Sequence, residues 1–319
     1  MSAFQAVNVT VLEAPRLRLR RLTEDDVLAL VREADNWNIA RYTALIPHPY
    51  TASDAAKFID GALVDRNGNT RHVFALETRI GGHLIGCIEV NMGEGGDTFG
   101  YWIGENHWGQ GYATEAALAM SRFAFQSAGK RELCAAVHPD NLGSARVLEK
   151  AGFVYDRVDT SLPGRCSDVE ARIFVLKAED WFEREAAKPK LLVSAVALVD
   201  ADGRVLVAKR PEGKPLAGLW EFPGGKVHDD ETPEAALVRE LQEELGIDIS
   251  QSCLAPLTFA SHAYEHFHLI MPLYVCRTWA GQVTPCEGQE LQWLKPNRLN
   301  TVPMPPADIP LVAMLMDVL

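Results

Sequence analysis

The sequence has no long apolar run and no cluster of basic residues. Its longest apolar stretch, Leu191–Val199, is far too short to span a bilayer, so we expect no membrane partner. The net charge is −12, with 22 basic against 26 acidic residues up to Lys190 and 9 against 17 beyond it, and no run of Lys and Arg exceeds two residues. We therefore expect no polymeric nucleic acid as a partner, because neutralising its phosphates requires a basic surface.

Cysteine is also sparse. The six cysteines are scattered over both halves of the chain, and none of them forms a C-x-x-C pair. This pattern favours reduced thiols over a disulfide framework or a zinc site. The first residues show no charged and then apolar signal pattern. We therefore expect a cytoplasmic protein.

Length and linker composition indicate two domains. A chain of 319 residues with 47% hydrophobic residues is long for one domain and comfortable for two. The segment Lys177–Lys190 is charged and ends in Lys-Pro-Lys, which is typical of a last short helix followed by a linker. We expect domains at residues 1–187 and 188–319, both of the α/β (α+β) class.

Strand and helix patterns alternate in both parts. In the first part we predict strands at Leu17–Leu19, His72–Thr78, Leu84–Asn91, Thr98–Gly104 and Leu133–Val137. A hairpin turn is expected at Gly81-Gly82, and helices are expected after Thr23 and Ser53. In the second part we predict strands at Leu191–Val199, Val205–Lys209, Leu269–Cys276 and Leu291–Leu294, and a last helix at Leu311–Leu319. The first of these is nearly continuous in apolar residues, so it is expected in the middle of its sheet.

One stretch of the second part, residues 216–249, reads LAGLWEFPGGKVHDDETPEAALVRELQEELGIDI. Thr232 and Pro233 predict a helix start, with Thr as the N-cap and Pro at the first helical position. Gly246 is placed to end that helix. An apolar stripe of leucines, Leu237, Leu241 and Leu245, would hold the helix against a core.

Three carboxylates share one face of this predicted helix. Glu240, Glu243 and Glu244 are spaced i, i+3, i+4, and their charges repel one another. A hard divalent cation resolves this repulsion, because Mg²⁺ takes oxygen ligands and also binds substrate phosphates. Gly224-Gly225 would let the backbone turn and approach another group closely. The pattern therefore predicts a Mg²⁺ site, which Mn²⁺ could also occupy.

The stretch resembles the Nudix box at every fixed position, and GLWEFPGGK and ETPEAALVRELQEELGI are similar to its MutT-type branch. The resemblance implies an α/β/α sandwich that hydrolyses nucleoside triphosphates to a monophosphate and pyrophosphate. It also implies metal ligands at Gly225, Glu240, Glu243, Glu244 and Glu287. Of these, Glu243, Glu244 and Glu287 would be catalytic. The alternative is a Nudix hydrolase of another nucleoside diphosphate-X, such as a nucleotide sugar.

The same resemblance implies the residues that bind the nucleotide. Arg210 and Lys226 align with family positions that face the phosphates or the nucleotide, and Phe222 could contact the base. PPADIP resembles the MutT segment that recognises oxidised guanine, but Asp308 stands where that type has Asn. Asn offers a donor and an acceptor, whereas an ionised Asp offers acceptors only. The identity of the base, with 8-oxo-dGTP and CTP as candidates, therefore stays open.

The first part contains a glycine-rich turn before a predicted helix, in the motif WGQGYATEA. Such a turn presents free N–H groups and the positive end of a helix dipole to a phosphate. A second motif, HPDN, follows the predicted Leu133–Val137 strand and leads into SARVLEKAGF. The turn therefore predicts a binding site for a phosphate-bearing ligand.

Together these motifs resemble the GNAT acetyltransferases, in particular the RimJ and RimL branch, over roughly residues 12–180. The resemblance implies that the cofactor is bound by Trp108, Gly109, Gln110, Gly111, Tyr112, Ala113, Thr114, Asn141 and Ser144. Many family members carry Gln or Arg where Trp108 stands. The resemblance implies a mixed sheet with helices, acetyl-CoA as the cofactor, and an amine acceptor that is a protein N-terminus or a small amine. Glu89 is the first candidate for the base, with Glu105 as the alternative, and Ser144 could protonate the leaving thiolate. In the other interpretation this domain is a non-catalytic acetyl-CoA sensor or docking module.

Overall fold

Two blocks of chain, divided between Ala186 and Ala187, pack as separate units in the computed structural model, which describes residues 9–68, 71–93 and 96–319. Both units combine helices with sheets, which confirms the predicted α/β class. Among the described residues, no helix is long and apolar enough to cross a membrane.

The first unit is built on one eight-stranded sheet of order β1-β2-β3-β4-β5-β6-β8-β7. Its strands are β1 (Val11–Glu13), β2 (Leu17–Arg20), β3 (Arg71–Thr78), β4 (Leu84–Gly93), β5 (Gly96–Ile103), β6 (Glu132–Val137), β7 (Val154–Asp159) and β8 (Ala171–Lys177). Its helices are α1 (Val27–Ala34), α2 (Trp37–Ala40), α3 (Ala52–Gly68), α4 (Tyr112–Arg122), α5 (Leu142–Ala151) and α6 (Ala178–Ala187).

The strands β5 and β6 are parallel neighbours that separate. Among the described residues they are paired only at Thr98 and Cys134, near the start of both strands. The other neighbouring pairs of this sheet are antiparallel. Because the ladder stops there, the two strands diverge towards their carboxyl ends. A gap of this kind in a sheet is a place where a ligand can enter.

Local patterns explain the core of the first unit. Leu17 and Leu19 are fully buried while Arg18 between them is exposed, as the alternation on β2 predicts. Small side chains on α4, such as Ala116 and Ala117, are buried completely and let this helix lie close to the sheet. The packing of α4 fixes its N-terminal end and the glycine turn before it.

The second unit contains two small sheets, of order β12-β9-β14-β13 and β11-β10-β15. Its strands are β9 (Lys190–Leu198), β10 (Val205–Lys209), β11 (Trp220–Glu221), β12 (Gly224–Lys226), β13 (Ala255–Ala263), β14 (His268–Cys276) and β15 (Glu290–Leu294). Its helices are α7 (Pro233–Leu245) and α8 (Ile309–Val318). The apolar strand β9 lies between β12 and β14, as its sequence predicts.

The helix α7 begins and ends where the sequence predicts. The hydroxyl of Thr232 accepts a hydrogen bond from the backbone N–H of Ala235 at 3.2 Å, and Pro233 is the first helical residue. Gly246 ends the helix with a φ of 65°, in the left-handed region that glycine enters without strain. The leucine stripe of α7 is fully buried against Val196 and Leu198 of β9. This packing leaves the acidic residues of the helix on its other side.

Other boundaries differ from the predicted ones. Because α6 continues to Ala187 and β9 begins at Lys190, only Lys188 and Pro189 separate the last helix from the next strand. The strands β1, β7, β8, β11, β12 and β13 were not predicted. Whether residues 1–187 and 188–319 fold independently stays a prediction.

Candidate functional sites

The glycine turn before α4 has the backbone conformation that a phosphate site needs. Gly109 and Gly111 have φ values of 73° and 83°, which favour glycine at both positions. As at any helix start, the first backbone N–H groups of α4, from Tyr112 onwards, have no acceptor within the helix. The turn and the helix start can therefore cradle an anionic group.

An arginine just before β2 holds this turn. Arg16 donates from Nη1 to the carbonyl of Gln110 at 2.9 Å, and its guanidinium lies 4.5 Å from the ring centre of Tyr112. Its Nε also lies 2.9 Å from Oε2 of Glu115, the largely buried carboxylate in the first turn of α4. The sequence does not indicate this role of Arg16, because its partners lie almost a hundred positions further along the chain.

The start of α5 faces the same region. Oδ1 of Asn141 accepts a hydrogen bond from the backbone N–H of Ser144 at 3.0 Å, so Asn141 caps the helix. The hydroxyl of Ser144 lies 2.9 Å from the hydroxyl of Tyr101 on β5. Burial raises the pKa of Tyr101 to about 12, so its proton stays on the oxygen at neutral pH.

A cavity of about 540 Å³ opens between these elements. It is bounded by the end of β5, the starts of α4 and α5, and residues 38–43 in and after α2. All the predicted cofactor residues line it except Gln110, whose amide donates to the carbonyl of Asn106 at 3.1 Å. The volume falls within the range of small-molecule sites in proteins. This cavity is the candidate acetyl-CoA site.

The candidate base Glu89 lies elsewhere. Its Oε2 is 2.6 Å from Nη2 of Arg71 on the neighbouring strand, and Glu89 is not among the described residues that line the cavity. The alternative, Glu105, accepts hydrogen bonds from the side-chain amides of Asn36 at 2.6 Å and Asn38 at 2.9 Å. The structure therefore brings Glu105 close to the cavity wall through Asn38, but it does not bring Glu89 there.

In the second unit, the carboxylate of Glu240 packs against the backbone of β12. A Cβ placed on Gly225 would lie 2.1 Å from this carboxylate, so any other residue at that position would collide with it. The Nη1 of Arg239 lies 2.8 Å from Oε1 of Glu240 and 3.4 Å from Oε2 of Glu243. Arg239 thus orients part of the acidic face.

Arg239 also ties α7 to the loop before it. Its Nη2 lies 2.7 Å from Oε1 of Glu231 and donates to the carbonyl of Lys226 at 3.1 Å. Hydrogen bonds from Arg239 and from the backbone of His228 lower the pKa of Glu231. Glu231 therefore stabilises the loop. The side chain of Lys226 is exposed.

A distant loop brings a further carboxylate to the end of α7. The carbonyl of Glu244 accepts hydrogen bonds from the amide of Gln289 at 2.7 Å and from the backbone N–H of Cys286 at 3.0 Å. Between these two anchors lies Glu287, whose Oε2 is 2.7 Å from Nζ of Lys214. The loop is therefore fixed to the helix that carries the other candidate ligands.

The carboxyl group of Glu244 has a raised pKa. Burial first, and then the carboxylates of Glu240, Glu221 and Glu287, raise this pKa to about 7, against a smaller lowering effect of Lys214. Among the described residues, no group of three acidic, histidine or cysteine side chains is close enough together to hold a metal. Even so, the donor set consists of oxygens, and a bound divalent cation would relieve the repulsion at Glu244. The residues present therefore fit Mg²⁺.

The predicted ligands differ in their surroundings. The side chain of Glu243 is 60% exposed, whereas that of Glu240 is 16% exposed. Glu240 and Glu244 therefore form the buried part of the acidic face, and Glu243 lies at its edge.

The nucleotide-binding candidates differ in exposure: Asp308 and Phe222 are buried, whereas Arg210 and Lys226 are partly or fully exposed. Asp308 is only 4% exposed, and its Oδ1 accepts a hydrogen bond from the backbone N–H of Phe222 at 3.3 Å. Burial, with a smaller effect of Glu221, raises the pKa of Asp308 to about 8. Arg210 forms an ion pair with Glu221. The ring of Phe222 is also buried, in the core of this unit.

Comparisons with known proteins find a different family in each of two parts of the chain. A family model described as an acetyltransferase (GNAT) domain matches residues 16–154, and one described as a NUDIX domain matches residues 194–314. The chain is 41% identical over 101 residues to an 8-oxo-dGTP diphosphatase of Proteus vulgaris, a stretch that covers 32% of this chain and 88% of the relative. It is 40% identical over 129 residues to the CTP pyrophosphohydrolase of Escherichia coli (strain K12), a stretch that covers 40% of this chain and 93% of the relative.

The other part of the chain resembles a different protein. It is 27% identical over 143 residues to the uncharacterized N-acetyltransferase p20 of Bacillus licheniformis, a stretch that covers 43% of this chain and 79% of the relative.

Proposed function

The chain belongs to the GNAT acetyltransferases through residues 16–154 and to the Nudix hydrolases through residues 194–314, and we propose that both domains are catalytically active. The first would transfer an acetyl group from acetyl-CoA to an amine. The second would hydrolyse a nucleoside triphosphate to a monophosphate and pyrophosphate in the presence of Mg²⁺. The observation that carries the hydrolase proposal is the anchoring of the Glu287 loop to the carbonyl of Glu244, beside the charges of Glu240 and Glu287 that contribute to the raised pKa of Glu244.

The proposed hydrolase site uses residues from three places in the unit. Glu240, Glu243 and Glu244 of α7, Glu287 of the distant loop and the carbonyl of Gly225 would hold Mg²⁺. When bound, the cation polarises the phosphoanhydride and lowers the pKa of a bound water. Glu244 and Glu287 are the candidates that accept the proton of the attacking water, and Arg239 keeps Glu240 in place through its 2.8 Å ion pair.

The proposed nucleotide recognition depends on the protonation of Asp308. With a pKa near 8, its carboxyl group is largely neutral at pH 7 and offers one donor and one acceptor, as an Asn does. This removes the objection that an ionised Asp would raise against a MutT-like base contact. Both 8-oxo-dGTP and CTP therefore remain substrate candidates. Arg210, whose side chain is held by the ion pair with Glu221, would bind the phosphates or the nucleotide.

The proposed acetyl transfer uses the cavity of the first unit. The pyrophosphate of acetyl-CoA would lie against the turn Gly109–Gly111 and the start of α4. The hydroxyls of Tyr101 and Ser144, which lie 2.9 Å apart, would protonate the leaving thiolate. A non-catalytic acetyl-CoA sensor is the second candidate, and it is favoured by one observation: Glu89 does not line the cavity.

Two assays on the full chain test these proposals. A panel of dGTP, 8-oxo-dGTP and CTP with Mg²⁺ should release pyrophosphate from at least one nucleotide. A time course of free thiol release from acetyl-CoA, with peptides and small amines, should show turnover that depends on the acceptor. Acetyl-CoA binding without thiol release from any acceptor would favour the sensor instead.

A further inference from the structure

One histidine lies in the wall of the acetyl-CoA cavity. His107 precedes the glycine turn, and its side chain is 27% exposed. It lies in the chain between the turn that would bind the cofactor phosphates and β5, and residues 38–43 line the same cavity. Apart from Asp140, a largely exposed carboxylate, the other ionisable groups among the described lining residues are arginine, lysine and tyrosine, which normally carry their protons at neutral pH. His107 is thus the group in this wall that is suited to accept a proton.

A buried carboxylate lies behind His107. Glu33, near the end of α1, is 8% exposed, and its Oε2 is 3.7 Å from Nε2 of His107. Gly104 makes room for it, because a Cβ at that position would lie 2.1 Å from the same oxygen. The other oxygen, Oε1, is 2.8 Å from Nε of Arg32. Glu33 is therefore built into the base of the β5–α4 connection, with one oxygen facing the imidazole.

We propose that His107 is the catalytic base of acetyl transfer and that Glu33 is its positioning residue. The inference rests on the proposed acetyltransferase function and names the group that Glu89 does not supply. A carboxylate behind an imidazole orients the ring and stabilises the imidazolium that forms when the ring takes a proton. Glu33 would do this from the side of His107 opposite to the acceptor.

The proposed step balances in atoms and charge. The imidazole of His107 takes one proton from the acceptor ammonium, and the neutral amine then attacks the thioester carbonyl. The N–C bond forms, the C–S bond breaks, and the second amine proton goes to the thiolate of CoA through Tyr101 or Ser144. His107 then returns its proton to solvent. No oxidant, reductant or further reactant is needed.

Several charged or titratable groups surround His107. Arg32 and Glu33 approach from α1, and Glu105 lies in the same turn, held by two asparagine amides. From α4, the ring of Tyr112 lies 6.5 Å from the imidazole, and the guanidinium of Arg16 stands over that ring. Glu33 is the member of this set for which the structure shows an ion-pair distance to His107.

The test uses the full chain with His107→Gln and Glu33→Gln, and His83→Gln as the matched control. His83 is an exposed histidine at the β3–β4 hairpin, outside the described cavity lining. Thiol release is measured against pH with the best acceptor, together with the melting shift on adding acetyl-CoA. We expect His107→Gln to lower kcat about a hundredfold and to remove the acidic limb of the pH profile. Glu33→Gln should lower kcat less and displace that limb, while His83→Gln matches wild type.

Each remaining outcome decides against the proposal. Wild-type kcat and pH profile in His107→Gln would overturn it. Loss of the acetyl-CoA melting shift in His107→Gln would show that the residue binds the cofactor and is not the base. If the wild-type chain releases no thiol with any acceptor, the acetyltransferase function itself falls and takes this inference with it. An active wild type with an unaffected His107→Gln leaves that function standing.

Discussion

The hydroxyl of Tyr274 lies 2.8 Å from Oε1 of Glu234. This hydrogen bond joins β14 to the first turn of α7, the helix that carries the candidate metal ligands. It lowers the pKa of Glu234, while burial raises the pKa of Tyr274 to about 12. Glu234 is therefore a structural residue of the acidic helix, even though it lies outside the acidic face.

Replacing Glu234 by Gln should lower stability without reducing turnover. Losing the charged partner of one hydrogen bond should cost about 1 kcal/mol of unfolding free energy. Because the folded-state pKa of Glu234 is lowered, its contribution is present above the unfolded pKa and is lost as pH falls through the folded value. Melting temperatures of variant and wild type should therefore differ at pH 7 and converge in acid. Equal melting temperatures at pH 7 would contradict the role given to this bond.

Replacing Glu244 by Gln should abolish most of the hydrolase activity. The change removes a proposed ligand and proton acceptor, so we expect kcat to fall at least about a hundredfold, a barrier increase on the order of 2.7 kcal/mol. Pyrophosphate release at saturating Mg²⁺ measures it. Asp230→Asn, an exposed acid in the loop before α7, is the matched control and should keep wild-type turnover.

The stability of the Glu244→Gln variant should not fall with its turnover. The folded-state pKa of Glu244 is raised to about 7 from 4.5, so its contribution to stability is fully present below 4.5 and is lost as pH rises through 7. Without metal, Glu244→Gln should then melt no lower than wild type at pH 8. Wild-type turnover in Glu244→Gln would mean that the acidic face is only a solvated surface.

The parts of the structure predicted correctly from sequence depend on local signals. Both ends of α7 follow from Thr232, Pro233 and Gly246, whose effects act within a few residues. By contrast, β7 is exposed along nearly its whole length and shows no alternation between buried and exposed residues, so periodicity could not identify it. Signals that act within a few residues, such as helix caps, can be recognised in a sequence. The exposure of an edge strand, by contrast, depends on the whole sheet.

Contacts between distant residues were not predictable in the same way. The ion pair of Lys214 with Glu287 spans 73 positions, and nothing in either segment indicates the other. The same holds for Glu33 under Gly104, because the partner of a buried carboxylate depends on how α1 packs on the sheet. Glu89 illustrates the limit: its strand was predicted correctly, but its ion pair with Arg71 depends on the pairing of β3 with β4.

Asp308→Asn tests the role of the neutral carboxyl group. In wild type the folded-state pKa of Asp308 is about 8, far above 3.8, so its contribution to stability declines as pH rises through 8. The wild-type chain should therefore lose both stability and nucleotide affinity between pH 7 and 9. The Asn variant, which offers a donor and an acceptor at every pH, should lose less of both over that interval. KM for the best nucleotide at pH 7 and 9 measures this, and identical pH dependence in both proteins would refute it.

The two units should fold independently. Each has its own buried clusters, with Phe74 and Phe123 in the first and Leu237 and Leu273 in the second. Fragments 1–187 and 188–319 should therefore be soluble and should unfold cooperatively on heating. Differential scanning calorimetry of each fragment checks this. Aggregation of both fragments, with only the full chain stable, would argue for a single fused core.

Acetyl-CoA should stabilise the first unit through the glycine turn. At a hundredfold excess over Kd, a ligand that binds only the folded state adds about 2.7 kcal/mol, or roughly 5–10 °C of melting temperature for a unit of this size. Gly111→Val should remove this shift, because a side chain at a φ of 83° distorts the turn and a Cβ there would also crowd Nη2 of Arg16 at 3.3 Å. Backbone strain alone could lower the starting stability, so the variant needs a control with the same strain elsewhere.

Gly82→Val provides that control. Gly82 has a φ of 64° and lies in the β3–β4 hairpin turn, and a Cβ at this position would have no other atom within 4 Å. The substitution therefore imposes comparable strain away from the cavity. Both variants should melt below wild type without ligand, since valine is strained at a positive φ. On adding acetyl-CoA, Gly82→Val should recover the wild-type shift and Gly111→Val should not. An equal shift in both variants would mean that the cofactor phosphates bind somewhere other than the turn before α4.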